Sequence, residues 1–133
     1  MLDASLDAIS AVSGPAVLMN ASALLLAAAT GRYQLAMEAA PQPDDGSSKA
    51  LRRQVTISAA AVHSLHVALM AFGVECALLF VMAADVEAVR APGPVLRSIG
   101  SLLSIAGLSG MAGGVVLLAI EGVFGFCTMR LPP

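Results

Sequence analysis

With 133 residues, 58% of them hydrophobic and 12% charged, and a mean hydropathy of +0.86, the chain falls well short of the charge content of a soluble domain, about 25%. Its formal net charge of -2 and scattered basic residues exclude a nucleic-acid-binding role, so the expected partner is the lipid bilayer. Trp is absent and there is one Tyr, so aromatic belts at the membrane surfaces are thin and orientation rests on charge.

Leu2, Leu6 and Ile9 recur at helical spacing around Asp3 and Asp7, a pattern shared by an amphipathic lead-in along the interface and by a frayed terminus. Two acids with no Lys or Arg are the reverse of the basic start of a secretory signal, so the first apolar segment is expected to be retained. Ser13-Gly14-Pro15 marks a helix start, with Ser13 as cap and Pro15 in the first turn, where its missing amide hydrogen is not needed. A helix starting earlier is expected to bend at Pro15. No charge stands between Asp7 and Arg32, which places the first span at about 14–32. The helix is free to run on through RYQLAMEAA until Pro41 and Pro43 stop it, and PQPDDGSSK reads as exposed linker within a connection of about 33–54.

The second span, about 55–84, has no Lys, Arg or Asp and a single acid, Glu75; it also holds both histidines, His63 and His66. Its length exceeds the ~20 residues that cross a ~30 Å hydrocarbon core, so it is expected to tilt or protrude. DVEAVRAPG is a short hydrophilic connection, the third span follows at about 98–121, and EGVFGFCTMRLPP leaves the membrane. The expected fold is all-α: an integral membrane protein with three transmembrane helices in one membrane domain. The 33–54 connection and the tail carry Arg32, Lys49, Arg52, Arg53 and Arg130, against Arg90 and Arg97 on the other side, five to two. The positive-inside rule then puts the N-terminus outside and the C-terminus in the cytoplasm.

Three stretches, ISAVSGPAVLMNASALLLAAATGRY, LRRQVTISAAA and a small-residue-rich third span closing on Glu121, together resemble a family of small bacterial membrane proteins, domain of unknown function 2721. The resemblance implies a Pro near the head of span one (Pro15), an Arg at its cytoplasmic end (Arg32), a basic pair before span two (Arg52, Arg53) and a Glu closing span three (Glu121). It also implies a bacterial cytoplasmic membrane, multi-pass, and says nothing of chemistry. QLAMEAAP departs from the denser Arg/Asp pattern of the family, with Glu38 as its one charge.

An ionised carboxylate at bilayer depth costs roughly 2.5 to 3.5 kcal/mol on insertion scales, so Glu75 is expected to face protein or water or to be protonated, unless it sits near enough to the outer interface to reach water. His63 and His66, three apart, share a helix face; interhelical hydrogen bonds and a proton relay are both open to them. Counted inward from the outer helix ends, Asn20, Glu75 and Ser109 lie eleven, nine and ten residues deep, about 14 to 17 Å, and are expected to form one polar layer. By the same count His63 and Glu121 meet at the cytoplasmic rim. Ala106, Gly110 and Gly114 repeat every four residues, a stripe of small groups for close helix packing, within the chain or with a second copy.

Ser64 between two histidines does not make a Ser/His pair, because helix neighbours point about 100° apart, and no GxSxG or HExxH occurs. Cys76 and Cys127 have no ligand-like neighbours and fall near opposite membrane faces, so no metal, no cofactor, no disulfide and no enzyme activity are expected. The leading expectation is a structural or interaction protein whose partners are the lipid bilayer and a homo-oligomer or another membrane protein. The alternative is a channel or transporter-like protein moving protons or ions through a polar layer around Glu75.

Overall fold

Each apolar run folds as one long helix in the computed structural model: α1 (Leu2–Glu38), α2 (Ser48–Ala83) and α3 (Gly93–Met129). The structure describes the backbone of 2–38, 48–83 and 93–129 and the side chains of 12–38, 49, 51–82 and 94–124. The side chains of the Leu2 to Ile9 lead-in, the 39–47 and 84–92 connections, Cys127 and Arg130 lie outside the described residues.

The helices contain the stretches Val12–Glu38, Leu51–Met82 and Pro94–Phe124, each long and apolar enough to cross a membrane. This is a multi-pass membrane protein, all-α with no strand among the described residues. At ~1.5 Å per residue the full helices reach about 55 Å, so their ends project beyond a ~30 Å hydrocarbon core. The expected start at Ser13 is corrected: α1 already runs from Leu2, with Pro15 inside it. At its other end α1 does continue past Arg32, through Glu38.

The burial pattern is the reverse of a soluble protein. Large apolar side chains lie outside, among them Val17, Leu24, Phe80, Leu102, Ile105 and Val123, while the fully enclosed positions are mostly small: Ser22, Ala29, Ser58, Ala61 and Ala68. Lipid tails are as apolar as leucine, so leucine gains nothing by leaving them, and helices associate by fitting backbones closely together. Among the described residues Leu65 and Phe72 are the only large side chains taken fully inside.

The middle helix, α2, packs along both α1 and α3, which scarcely touch each other. Apart from Ala71, its described buried residues Ser58, Ala61, Leu65, Ala68, Phe72 and Glu75 alternate spacings of three and four, the period that keeps one seam facing a neighbour in left-handed packing. On α3 the complementary face is Ser104, Gly107, Gly110 and Gly114, lying against Glu75, Phe72, Ser64 with Ala68, and Leu65 respectively. Phe72 occupies the space where a Cβ on Gly107 would stand, 2.6 Å from its ring, and Leu65 does the same at Gly114. At Gly110 the obstacle is backbone: a Cβ there would lie 2.9 Å from the Ser64 carbonyl oxygen and 3.2 Å from the Ala68 nitrogen.

The glycine faces are thus filled from within the chain, and the expected stripe needs one correction: Ala106 is exposed and Gly107 takes its place. Four residues turn a helix through 400°, so a strict fourfold repeat drifts ~40° per step off the contact line, whereas alternating threes and fours stay on it.

Gly110→Ala is expected to cost about 1–3 kcal/mol, because backbone on the facing helix cannot swing aside. Gly31→Ala, with nothing within 4 Å of the new methyl, is expected to gain about 0.5–1 kcal/mol from helix propensity. Thermal unfolding of the two variants in detergent checks this, and equal melting temperatures would remove the backbone contact from the account.

Candidate functional site

A hydroxyl in a membrane helix has a ready acceptor in the carbonyl four residues earlier on its own helix, and most of the described ones use it. Thr30, Thr56, Ser58, Ser98 and Ser101 bond to Leu26, Arg52, Gln54, Pro94 and Arg97 in this way. Two serines do something else. Ser64 Oγ donates across the seam to the Gly110 carbonyl at 2.7 Å, and Ser104 Oγ donates to Glu75 Oε1 at 2.5 Å.

Glu75 is 8% exposed, so it faces protein, and its partner is Ser104 on α3. Asn20 and Ser109 are both exposed and sit apart from it. The expected layer of Asn20, Glu75 and Ser109 does not form, and Glu75 pairs with Ser104 instead, for two separable reasons. Along α1 the depth is right, since Met19 sulfur lies 3.8 Å from a Cβ on Gly73, but Asn20 is rotated outward and Ser22 is the polar residue turned in. Along α3 the helix is shifted by about one turn, ~5.4 Å, from the depth count, which brings Ser104 rather than Ser109 level with Glu75.

Toward the other end of the same seam Glu121 is 4% exposed. By the contact of Leu65 with Gly114 it falls level with Ser58, not with His63, which is exposed and about five residues, ~7 Å, further along α2. Two arginines bracket this end of α3. Arg32 brings a terminal nitrogen 3.9 Å from the position of a Cβ on Gly122, and the Arg53 guanidinium lies 4.9 Å over the Phe124 ring centre, a cation–π contact. Among the described residues Glu75 Oε2, Glu121 Oε2 and Ser22 Oγ are buried without a hydrogen-bond partner.

His66 is exposed and donates Nδ1–H to the Val62 carbonyl of its own helix at 3.1 Å; His63 is exposed one turn away. With Val67, Met70, Val74 and Phe80 they line one outward face of α2. Cys76 is a half-buried free thiol, and among the described residues no group of three or more His, Cys, Asp or Glu is placed to hold a metal. The partners missed in the sequence, Ser104, Gly107 and Ser64, carry one legible signal: Ser104, Gly107, Gly114 and Glu121 repeat at three and seven, the spacing of a single seam.

No protein-family model, curated protein or solved structure matches this chain.

The Glu75–Ser104 pair should appear as a coupling energy of about 0.6 to 1.7 kcal/mol in a double-mutant cycle with Ser104→Ala and Glu75→Leu, the range of interhelical hydrogen bonds in bilayers. Unfolding free energies of the four proteins in mixed micelles measure it; additive single changes would mean the bond holds nothing.

Proposed function

We propose that this chain is an assembly protein of a bacterial cytoplasmic membrane, joining a second copy of itself or another membrane protein through the outward face of α2, and that it carries out no catalysis. The carrying observation is the exposure of His63 and His66 in the middle of an apolar helix. Polar residues at bilayer depth almost always face protein or a water-filled cavity, and here the chain covers neither side chain. A carbonyl only accepts, so His66 must donate from Nδ1, which leaves Nε2 of the neutral ring as an acceptor turned outward. A helix offering a hydroxyl or an imidazole N–H would satisfy it.

The permeation alternative has less support. Between Glu75 and Glu121 the seam is filled by Phe72 against Gly107 and Leu65 against Gly114, with both side chains fully buried. A proton or ion moving along it would have to displace both. The bacterial setting rests on the resemblance to domain of unknown function 2721, and the orientation rests on the five-to-two excess of basic residues.

In mild detergent the protein should run as an oligomer or with a co-purifying membrane protein, and His63→Leu with His66→Leu should release it as a single chain with unchanged helix content. Native mass spectrometry gives the count; a wild-type protein already alone, or a double variant still assembled, defeats the proposal. For orientation, Ser47→Cys in a protein whose own cysteines are replaced should resist an impermeant thiol reagent in intact cells and react after lysis. Labelling in intact cells would invert the threading.

A further inference from the structure

The two ring nitrogens of His66 are used in different ways. Nδ1–H is taken by the Val62 carbonyl at 3.1 Å, which fixes the tautomer and leaves the Nε2 lone pair turned away from the helix. Imidazoles that ligate metal ions carry this arrangement, with one ring nitrogen anchored by a backbone carbonyl and the other donating its lone pair. A hydrogen bond from a neighbouring helix is one use of that lone pair, and coordination is another.

A second donor lies one turn further along. Met70 is exposed and four residues beyond His66, so the two stand ~40° apart around α2 and about 6 Å apart along it. Side chains lean toward the N-terminus of their helix, which carries the thioether of residue 70 toward the level of residue 66. His63 is seven residues from Met70, ~10.5 Å along the axis, and outside that reach. The exposed residues around the pair on this face, Ala60, Val67, Val74 and Ala77, carry no side-chain oxygen. One imidazole and one thioether are too few for a site on one chain, and among the described residues no group of three or more His, Cys, Asp or Glu supplies more. A second copy related by a twofold axis along the membrane normal stands at the same height and brings the same pair to the same face. Two nitrogens and two sulfurs then meet, all of them neutral.

Those donors select the ion. Hard cations such as Mg²⁺ and Ca²⁺ take oxygen ligands, which this face lacks, while a thioether is soft and favours Cu(I). Depth gives the same answer. His66 is fifteen residues from Leu51 and sixteen from Met82, the ends of the apolar stretch, so the site is in the middle of the hydrocarbon. The Born cost of an ion there rises as the square of its charge, so a univalent ion costs about a quarter of what a divalent ion of the same size costs. We propose that the outward face of α2 binds Cu(I) between two copies of the chain, through Nε2 of His66 and Sδ of Met70 from each copy. The inference rests on the assignment of this face to assembly, and it names the second copy as the partner and the ion that joins the two.

The test uses the full chain with Cys76→Ser and Cys127→Ser, so that no thiolate competes for copper. In maltoside under argon it is titrated with Cu(I), added as the acetonitrile complex, against bicinchoninate. Native mass spectrometry counts copper and chains, and copper X-ray absorption reads the ligand shell. One Cu(I) should be held per two chains, in a shell of nitrogen and sulfur. Met70→Leu should remove the sulfur, His66→Leu should abolish binding, and Zn(II) at the same concentration should not load. Should either variant lose its helix content, the stoichiometry and the sulfur shell of the parent protein decide alone. No copper held against bicinchoninate, one ion on a single chain, sulfur surviving Met70→Leu, or Zn(II) bound as well as Cu(I) overturns the proposal. A protein that assembles yet takes no copper defeats this inference alone, whereas one that stays a single chain at every copper level defeats the assembly reading with it.

Discussion

The contact on which the rest depends is the approach of α3 to α2 at Gly110. There the Ser64 hydroxyl reaches the Gly110 carbonyl, and the Ser64 carbonyl and Ala68 amide occupy the space a side chain would need. In lipid there is no hydrophobic gain from bringing two helices together, so the association rests on dispersion over closely fitted surfaces and on hydrogen bonds that water does not contest. Both are supplied at one point. Because the facing atoms are backbone, the contact also fixes register: one step along the helix, and Phe72 no longer meets Gly107, nor Leu65 Gly114, nor Glu75 Ser104.

That register explains how α2, a helix this apolar, holds the buried carboxyl of Glu75. Glu75 finds a hydroxyl on the neighbouring helix, and the remaining serines and threonines are mostly quieted by carbonyls of their own helices. A serine that bonds back to its own helix adds little to association, and one that crosses the seam specifies a neighbour. The division between the two kinds is therefore a division between filler and recognition, and it puts recognition on Ser64 and Ser104.

Much of the fold was legible in the sequence because the membrane imposes coarse rules. Three apolar runs, separated by proline-bearing polar connections, pointed to three helices, while Glu75 was left to face protein or water, to be protonated, or to reach the outer interface, and the fold buries it against protein. What escaped was rotation and register. Asn20 had the right depth and the wrong face, since depth depends on residue count alone while facing depends on which side of α1 carries the small residues Ser22, Ala29 and Ala36. Ser109 failed the other way: the count assumed where α3 enters, and a packed helix takes its height from its neighbour rather than from a notional membrane plane. Ala106 fell to the drift of a fourfold repeat. Pro15 was read as a helix start, but a proline forfeits one hydrogen bond, and in a helix of 37 residues that loss leaves the rest of the ladder in place.

The same geometry bears on where function can lie. Among the described residues the interior between α2 and α3 is small and filled by Phe72 and Leu65, which hold the two buried carboxyls, Glu75 and Glu121, apart. Among the described residues the polar groups left with unmet bonding capacity are of two kinds: Ser22 Oγ, Glu75 Oε2 and Glu121 Oε2 inside the packing, and Nε2 of His66 on the outward face of α2. In water such groups would be satisfied by solvent and would mean little. In hydrocarbon an outward acceptor of that kind is an unmet demand that a donor on another helix can answer, which is why the proposed assembly face is put on α2 rather than in the seam.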